Sequence, residues 1–189
     1  AGCKSLENVD GLSELGQLEH LEVVDSDDGT TIGEEWGLQG CESLVDIRGL
    51  SKLNKLELLA LGGCSSLADI GPISELTNLK HIVLDDCTAL SDVSALEKLT
   101  QLTYLDMQNC TSLSDITSLP ELKGGAYLTL PDSKVATINA EGLSSLTGHA
   151  QLRPDLLKLV VKNGKELTDI SALSDIPSLS ILHLVNCKS

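Results

Sequence analysis

This 189-residue sequence predicts an α/β solenoid with a parallel sheet on its concave face, and three observations predict it. A phrase that opens on cysteine returns every 23 residues, at Cys41, Cys64, Cys87 and Cys110. Within each unit the aliphatic residues recur every three positions and then every two. The apolar residues are overwhelmingly Leu, Ile and Val, with no Phe and only 2% aromatics, which suits a layered aliphatic core better than one packed around large rings.

The repeated phrase reads CESLVDI, CSSLADI, CTALSDV and CTSLSDI, and CKSLENV from Cys3 and GKELTDI from Gly164 are variants of it. Weaker copies end at Ser26 and Ser133, each 23 residues after a cysteine, and Cys187 lies 23 after Gly164. Two intervals depart from the period: 15 residues from Ser26 to Cys41, and 31 from Ser133 to Gly164. Cys3 and Cys187 are 184 residues apart, eight times 23. The expected organisation is therefore one repeat domain over residues 1–189, of about eight units, irregular at 26–41 (short) and 133–164 (long).

The change of spacing inside a unit reports local geometry. Ile70, Ile73, Leu76, Leu79 and Ile82 recur every three residues, as do Val93, Leu96, Leu99, Leu102 and Leu105. A strict period of three suits 3₁₀ or irregular turns, where side chains at i and i+3 eclipse, rather than the 3.6 period of an α-helix. The spacing drops to two at Ile82/Leu84 and Leu105/Met107, as in a short strand with alternate side chains inward. Strand, turn, narrow helical segment and return thus make one unit, and like-directed strands joined by crossovers stack into a parallel sheet.

The segments LELLALGGC, LKHIVLDDC, LTYLDMQNC and LSILHLVNC match L-x-x-L-x-L-x-x-(N/C), so the chain resembles the leucine-rich repeat family. SDVSALEKLTQL and TDISALSDIPSL are most similar to repeats of bacterial internalins and of the related phosphatase-regulator class. The sequence departs from internalins in its 23-residue unit and in Cys where they typically carry Asn. The resemblance implies a horseshoe with the parallel sheet on its concave face and 3₁₀ or irregular segments on the convex face. It also implies a non-enzymatic protein-binding role and favours an extracellular or cell-surface location.

Several residues invite a chemical reading. Cysteines in consecutive coils could suggest redox or metal chemistry. The resemblance, however, turns this position inward, where free Cys acts as a small buried hydrophobe, and parallel side chains on neighbouring coils are poorly placed for disulfides. The recurring Asp46, Asp69, Asp92, Asp115 and Asp169 could form a calcium ladder, but each precedes an inward Ile or Val where an Asp caps backbone N–H groups. Asn109–Cys110–Thr111 is formally a glycosylation sequon, relevant only to a secreted chain. No motif ties His20, His81, His149 or His183 to a nucleophile, and no phosphate loop is present, so neither an enzyme nor a cofactor or metal site is expected.

Recognition then falls to the strand positions that face outward. One column reads His20, Glu35, Leu58, His81, Tyr104, Tyr127, Lys158 and Ile181. The next reads Glu22, Gly37, Ala60, Val83, Asp106, Thr129, Val160 and His183. Both tyrosines of the chain fall in the first column. The expected binding patch is His81, Tyr104 and Tyr127 with Asp85, Asp86, Asp106, Gln108 and Asp132 beside them, Tyr being a favoured contact residue and carboxylates favouring a basic partner. Trp36 either fills an inward strand position aligned with Leu59 and Leu105 or belongs to a protruding contact loop.

With 28 acidic and 13 basic residues the formal charge is −15, which disfavours nucleic acid and anionic membrane as partners. No apolar run approaches the roughly 20 residues that span a bilayer, so membrane insertion is not expected. The alternative to a binding module is a structural segment of a longer array, or a protein that self-associates head to tail through uncapped termini.

Overall fold

A computed structural model of the protein describes residues 3–21, 40–113, 118–120, 127–130, 157–162 and 179–185. Seven strands among them form one parallel sheet in chain order: β1 His20–Leu21, β2 Leu58–Ala60, β3 His81–Val83, β4 Tyr104–Asp106, β5 Tyr127–Leu130, β6 Leu157–Lys162 and β7 Leu179–Val185. Four 3₁₀ helices cross the opposite side, η1 Asp10–Leu12, η2 Arg48–Leu50, η3 Gly71–Ile73 and η4 Ser94–Leu96. The architecture is that of a leucine-rich repeat solenoid, with short 3₁₀ turns on the convex face.

The period of three has a direct hydrogen-bonding cause. Leu96 donates its backbone N–H to the Val93 carbonyl, Leu99 to Leu96 and Leu102 to Leu99, at 2.9–3.1 Å. The same chain of bonds runs Ile70, Ile73, Leu76, Leu79 and Ile47, Leu50, Leu53, Leu56. Each inward residue therefore closes the turn begun by the one before it, so core side chain and backbone turn share one period. These residues are fully buried: every Leu from Leu50 to Leu105 at these positions is 0% exposed.

The aspartates start the 3₁₀ segments. The Asp46, Asp69 and Asp92 carboxylates accept the backbone N–H of Arg48, Gly71 and Ser94 at 2.9, 2.7 and 2.8 Å, two residues on. Asn8 does the same for Asp10 at 3.3 Å, which explains why Asn can stand for Asp in the first phrase. Asp46 also bonds the Arg48 side chain at 2.5 Å. Asp115 and Asp169 lie outside the described residues.

Just before each cysteine the chain turns through the left-handed region, at Gly40 (φ 80°), Gly63 (φ 70°), Asp86 (φ 57°) and Asn109 (φ 59°). Gly, Asp and Asn are the residues that enter this region most cheaply, and these four positions hold only those three. Asn109 Nδ2 donates to Asp86 Oδ1 at 2.8 Å, tying two of these turns together.

At the start of the sheet the register spans more than one period. β1 pairs directly with β2, with His20 opposite Leu58 and Leu21 opposite Leu59. Asn8 bridges to Asp46, and Lys4 pairs with Glu42 at 2.8 Å. The first two coils of the sheet are thus offset by 38 residues. Glu35, Trp36 and Gly37 lie outside the described residues. At the long interval Tyr127 faces Lys158 directly, 31 residues on, as the column predicts.

Leu6 and Leu15 are 38% and 48% exposed on the first coil, and Leu182 and Leu184 are 37% and 42% exposed on β7. No helix among the described residues is long and apolar enough to cross a membrane.

Candidate binding face

Strand register assembles the central patch. His81, Tyr104 and Tyr127 are neighbours across β3, β4 and β5. Parallel strands lie about 4.8 Å apart, so identical side chains at one register position are brought to stacking distance. Tyr104 and Tyr127 are stacked, centroids 4.7 Å apart and planes 6° from parallel. His81 meets Tyr104 edge to face at 6.1 Å and 84°. All three are half-buried.

Two residues along, the second column does not behave as a solvated strand face, and neither does Leu58 of the first. Leu58, Ala60 and Val83 form a small apolar cluster with Tyr104 packed against it, 1–6% exposed, and Thr129 is 0% exposed. At these four positions the outward side is packed and not exposed for recognition. Only Asp106 interrupts the cluster in the central coils, half-buried between Val83 and Thr129.

The carboxylates divide by role. Asp106 accepts the backbone N–H of Gln108 at 3.0 Å, which fixes its side chain at the strand exit. Asp85 turns across the sheet onto Gly62, where a β-carbon would collide with its carboxylate. Asp86 is exposed and bonded to Asn109, and its backbone N–H reaches the Gln108 carbonyl at 2.8 Å. Asp86 is therefore also a turn residue, and Asp132 lies outside the described residues. Burial, reinforced by the charges of Asp106, Tyr127 and Asp85, pushes the Tyr104 hydroxyl well above the usual phenol range. It remains a protonated donor in a field of negative sign.

The thiols sit beneath this face. Cys41, Cys64, Cys87 and Cys110 are buried, and Cys87 Sγ and Cys110 Sγ donate to the Leu61 and Leu84 carbonyls of the preceding coil at 3.2 and 3.1 Å. Burial pushes Cys64 and Cys110 up to about 12 and moves Cys87 further in the same direction. With little thiolate they are poor nucleophiles. In the native protein a thiol reagent should label exposed Cys3 quickly and leave Cys41, Cys64, Cys87 and Cys110 unmodified until the chain unfolds, as peptide mapping would show. The buried thiols hold their protons more tightly than free ones, so stability should be full below pH 9, the ordinary thiol value, and decline as pH climbs toward 12.

Sequence reasoning found the tyrosine column and missed its surroundings. The left-handed turn column was legible in the letters Gly, Gly, Asp and Asn before successive cysteines. The burial of Leu58, Ala60 and Val83 had only their apolar character as a signal, and Thr129 had none. Among the described residues, no cluster of three or more His, Cys, Asp or Glu could hold a metal ion.

Residues 77–121 match the family model for leucine rich repeats (2 copies). No curated protein sequence matches this one. The crystal structure of an internalin C2 from Listeria monocytogenes is similar, with 22% identity and a TM-score of 0.54, over 97% of this chain and 78% of that one. An internalin from the same organism, inlF, aligns at 24% identity and a TM-score of 0.47, over 92% of this chain and 48% of its own length.

Proposed function

Because this chain folds as a leucine-rich repeat solenoid, of a class whose concave faces typically bind proteins, we propose that it binds a basic protein partner through the centre of its concave sheet. The stacked Tyr104–Tyr127 pair carries this reading. Two half-buried aromatic rings beside an apolar cluster and bordered by carboxylates supply what interface centres use: large rigid contact area with a polar handle. His81, Tyr104 and Tyr127 form the contact row. Asp106 and Gln108 border it at the strand exits, with Asp85, Asp86 and Asp132 as the acidic rim. The net charge of −15 adds long-range attraction for a cationic surface, and with it a dependence on salt. The role is recognition without catalysis.

The experiment is affinity capture with the intact chain beside the Tyr104→Ala/Tyr127→Ala double variant. Expected are retention of a basic partner that elutes with salt, and a loss of at least about tenfold in affinity for the double variant, in line with two anchor residues. The variant's melting temperature should stay close to that of the parent. Undiminished binding by a folded double variant would remove this face from consideration.

A further inference from the structure

The first two coils set one cysteine directly beside another. Asn8 bridges to Asp46, Lys4 Nζ meets Glu42 Oε1 at 2.8 Å and His20 pairs with Leu58, all at an offset of 38 residues. Cys3 is therefore the register partner of Cys41. Both open the same turn, since Leu6 donates its backbone N–H to the Cys3 carbonyl at 2.8 Å and Leu44 to the Cys41 carbonyl at 2.9 Å. Neighbouring strands lie about 4.8 Å apart, inside the roughly 4.4–6.8 Å between Cα atoms that a disulfide spans.

Exposure sets this pair apart from the thiols deeper in the stack. The Cys87 and Cys110 sulfurs are each engaged by a carbonyl of the preceding coil, and every inward cysteine from Cys41 to Cys110 is buried. Cys3, by contrast, is exposed. The Cys41 sulfur lies within hydrogen-bonding reach of both the Cys3 thiol and the Cys3 backbone N–H. Burial raises the Cys41 pKa, and that N–H works in the opposite direction by stabilising the thiolate. An entry thiol at the surface thus backs onto a protected one, the arrangement of an attacking and a resolving cysteine. Closure needs Cys3 to turn toward its neighbour, and an exposed side chain on the first coil has the room to do so.

We propose that Cys3 and Cys41 form a disulfide site, oxidised by a low-molecular-weight disulfide, that ties the first coil to the second. The Cys3 thiolate attacks one sulfur of the small disulfide, which forms a mixed disulfide and releases one small thiolate. Cys41 then gives up its proton and attacks the Cys3 sulfur, expelling the second small thiolate. Two protein thiols are oxidised, and one small disulfide is reduced to two thiols that take up the two protons. Cys41 needs no access to solvent, because its neighbour delivers the reactive bond. An alkylating reagent stops at Cys3, whereas a disulfide leaves there a group that Cys41 displaces.

The test is incubation of the intact, dilute, native chain with oxidised glutathione, then acid quenching, alkylation in denaturant and peptide mapping. A peptide linked through Cys3 and Cys41 should appear and be removed by dithiothreitol, with Cys64, Cys87 and Cys110 recovered as free thiols. Cys41→Ser should stop at a glutathione adduct on Cys3, and Cys3→Ser should leave Cys41 reduced. Oxidation should slow hydrogen exchange at the Leu12, Leu15 and Leu18 amides by about threefold or more, since the bond closes the long connection between the two coils. A bond from Cys3 to Cys187 or to another chain, a glutathione adduct that persists on Cys3 in the parent, or oxidation of Cys41 in Cys3→Ser would overturn the site. Unchanged exchange in a chain carrying the bond would overturn the tie between the coils.

Discussion

Replacing Leu105 by alanine should destabilise the array by about 2–5 kcal/mol, whereas Tyr104→Ala, one residue earlier on the same strand, should cost far less. Leu105 is 0% exposed and lies in register between Ile82 and Leu128 at the centre of the aliphatic layer. Neighbouring coils hold those side chains in place through strand pairing on one side and 3₁₀ turns on the other, so the cavity has little freedom to collapse. Tyr104 faces the other way, is half-buried, and has a ring stack worth about 0.5–1.5 kcal/mol beyond its area. Urea denaturation of the two variants reads the difference directly. Equal losses would mean that β4 does not present one residue to the core and its neighbour to the concave face.

Gly49→Ala should detach the first coil from the second. In η2 a β-carbon at position 49 would run into the Val9 carbonyl group and the Asp10 backbone of the preceding coil, and backbone has no rotamer with which to yield. The equivalent positions 23 and 46 residues later hold Pro72 and Ala95, which carry that carbon, so the first two coils approach more closely there than the next ones do. Overpacking of this kind costs about 1–3 kcal/mol, and in a stack it is lost at the interface concerned. Hydrogen exchange should accelerate at the Leu12, Leu15 and Leu18 amides, whose i to i−3 bonds define the first coil, while those of Leu76, Leu79, Leu99 and Leu102 stay protected. Uniform acceleration through all coils would show that the array unfolds as one unit instead.

These two positions also mark how far the letters carry. Leu105 is readable as a core residue because its role is local: the turn bonds that lead up to it through Leu102 and the alternation of a strand are set by the chain's own neighbours. The same holds for Asp46, Asp69 and Asp92, whose capping bonds reach only two residues along. It holds as well for Cys41, Cys64, Cys87 and Cys110, whose period announced the coil and whose burial leaves them chemically quiet. Tyr104 and Tyr127 come together because they share a phase of that period.

Gly49 is a different case, since nothing in its own segment tells that Val9 lies against it, 40 residues earlier. Which coil abuts which is decided by long-range strand pairing, and where the spacing departs from 23 the period can mislead. His20 pairs with Leu58, 38 residues on, an offset that the period alone does not give. The burial of Leu58, Ala60, Val83 and Thr129 on the outward side is likewise a property of the assembled face. The sequence by itself determined the inward alphabet, the turn that goes with it and the phase of each strand, because all three are short-range. Only the tertiary structure decided the neighbours of each coil and the burial of Thr129, because both depend on what the folded chain brings alongside.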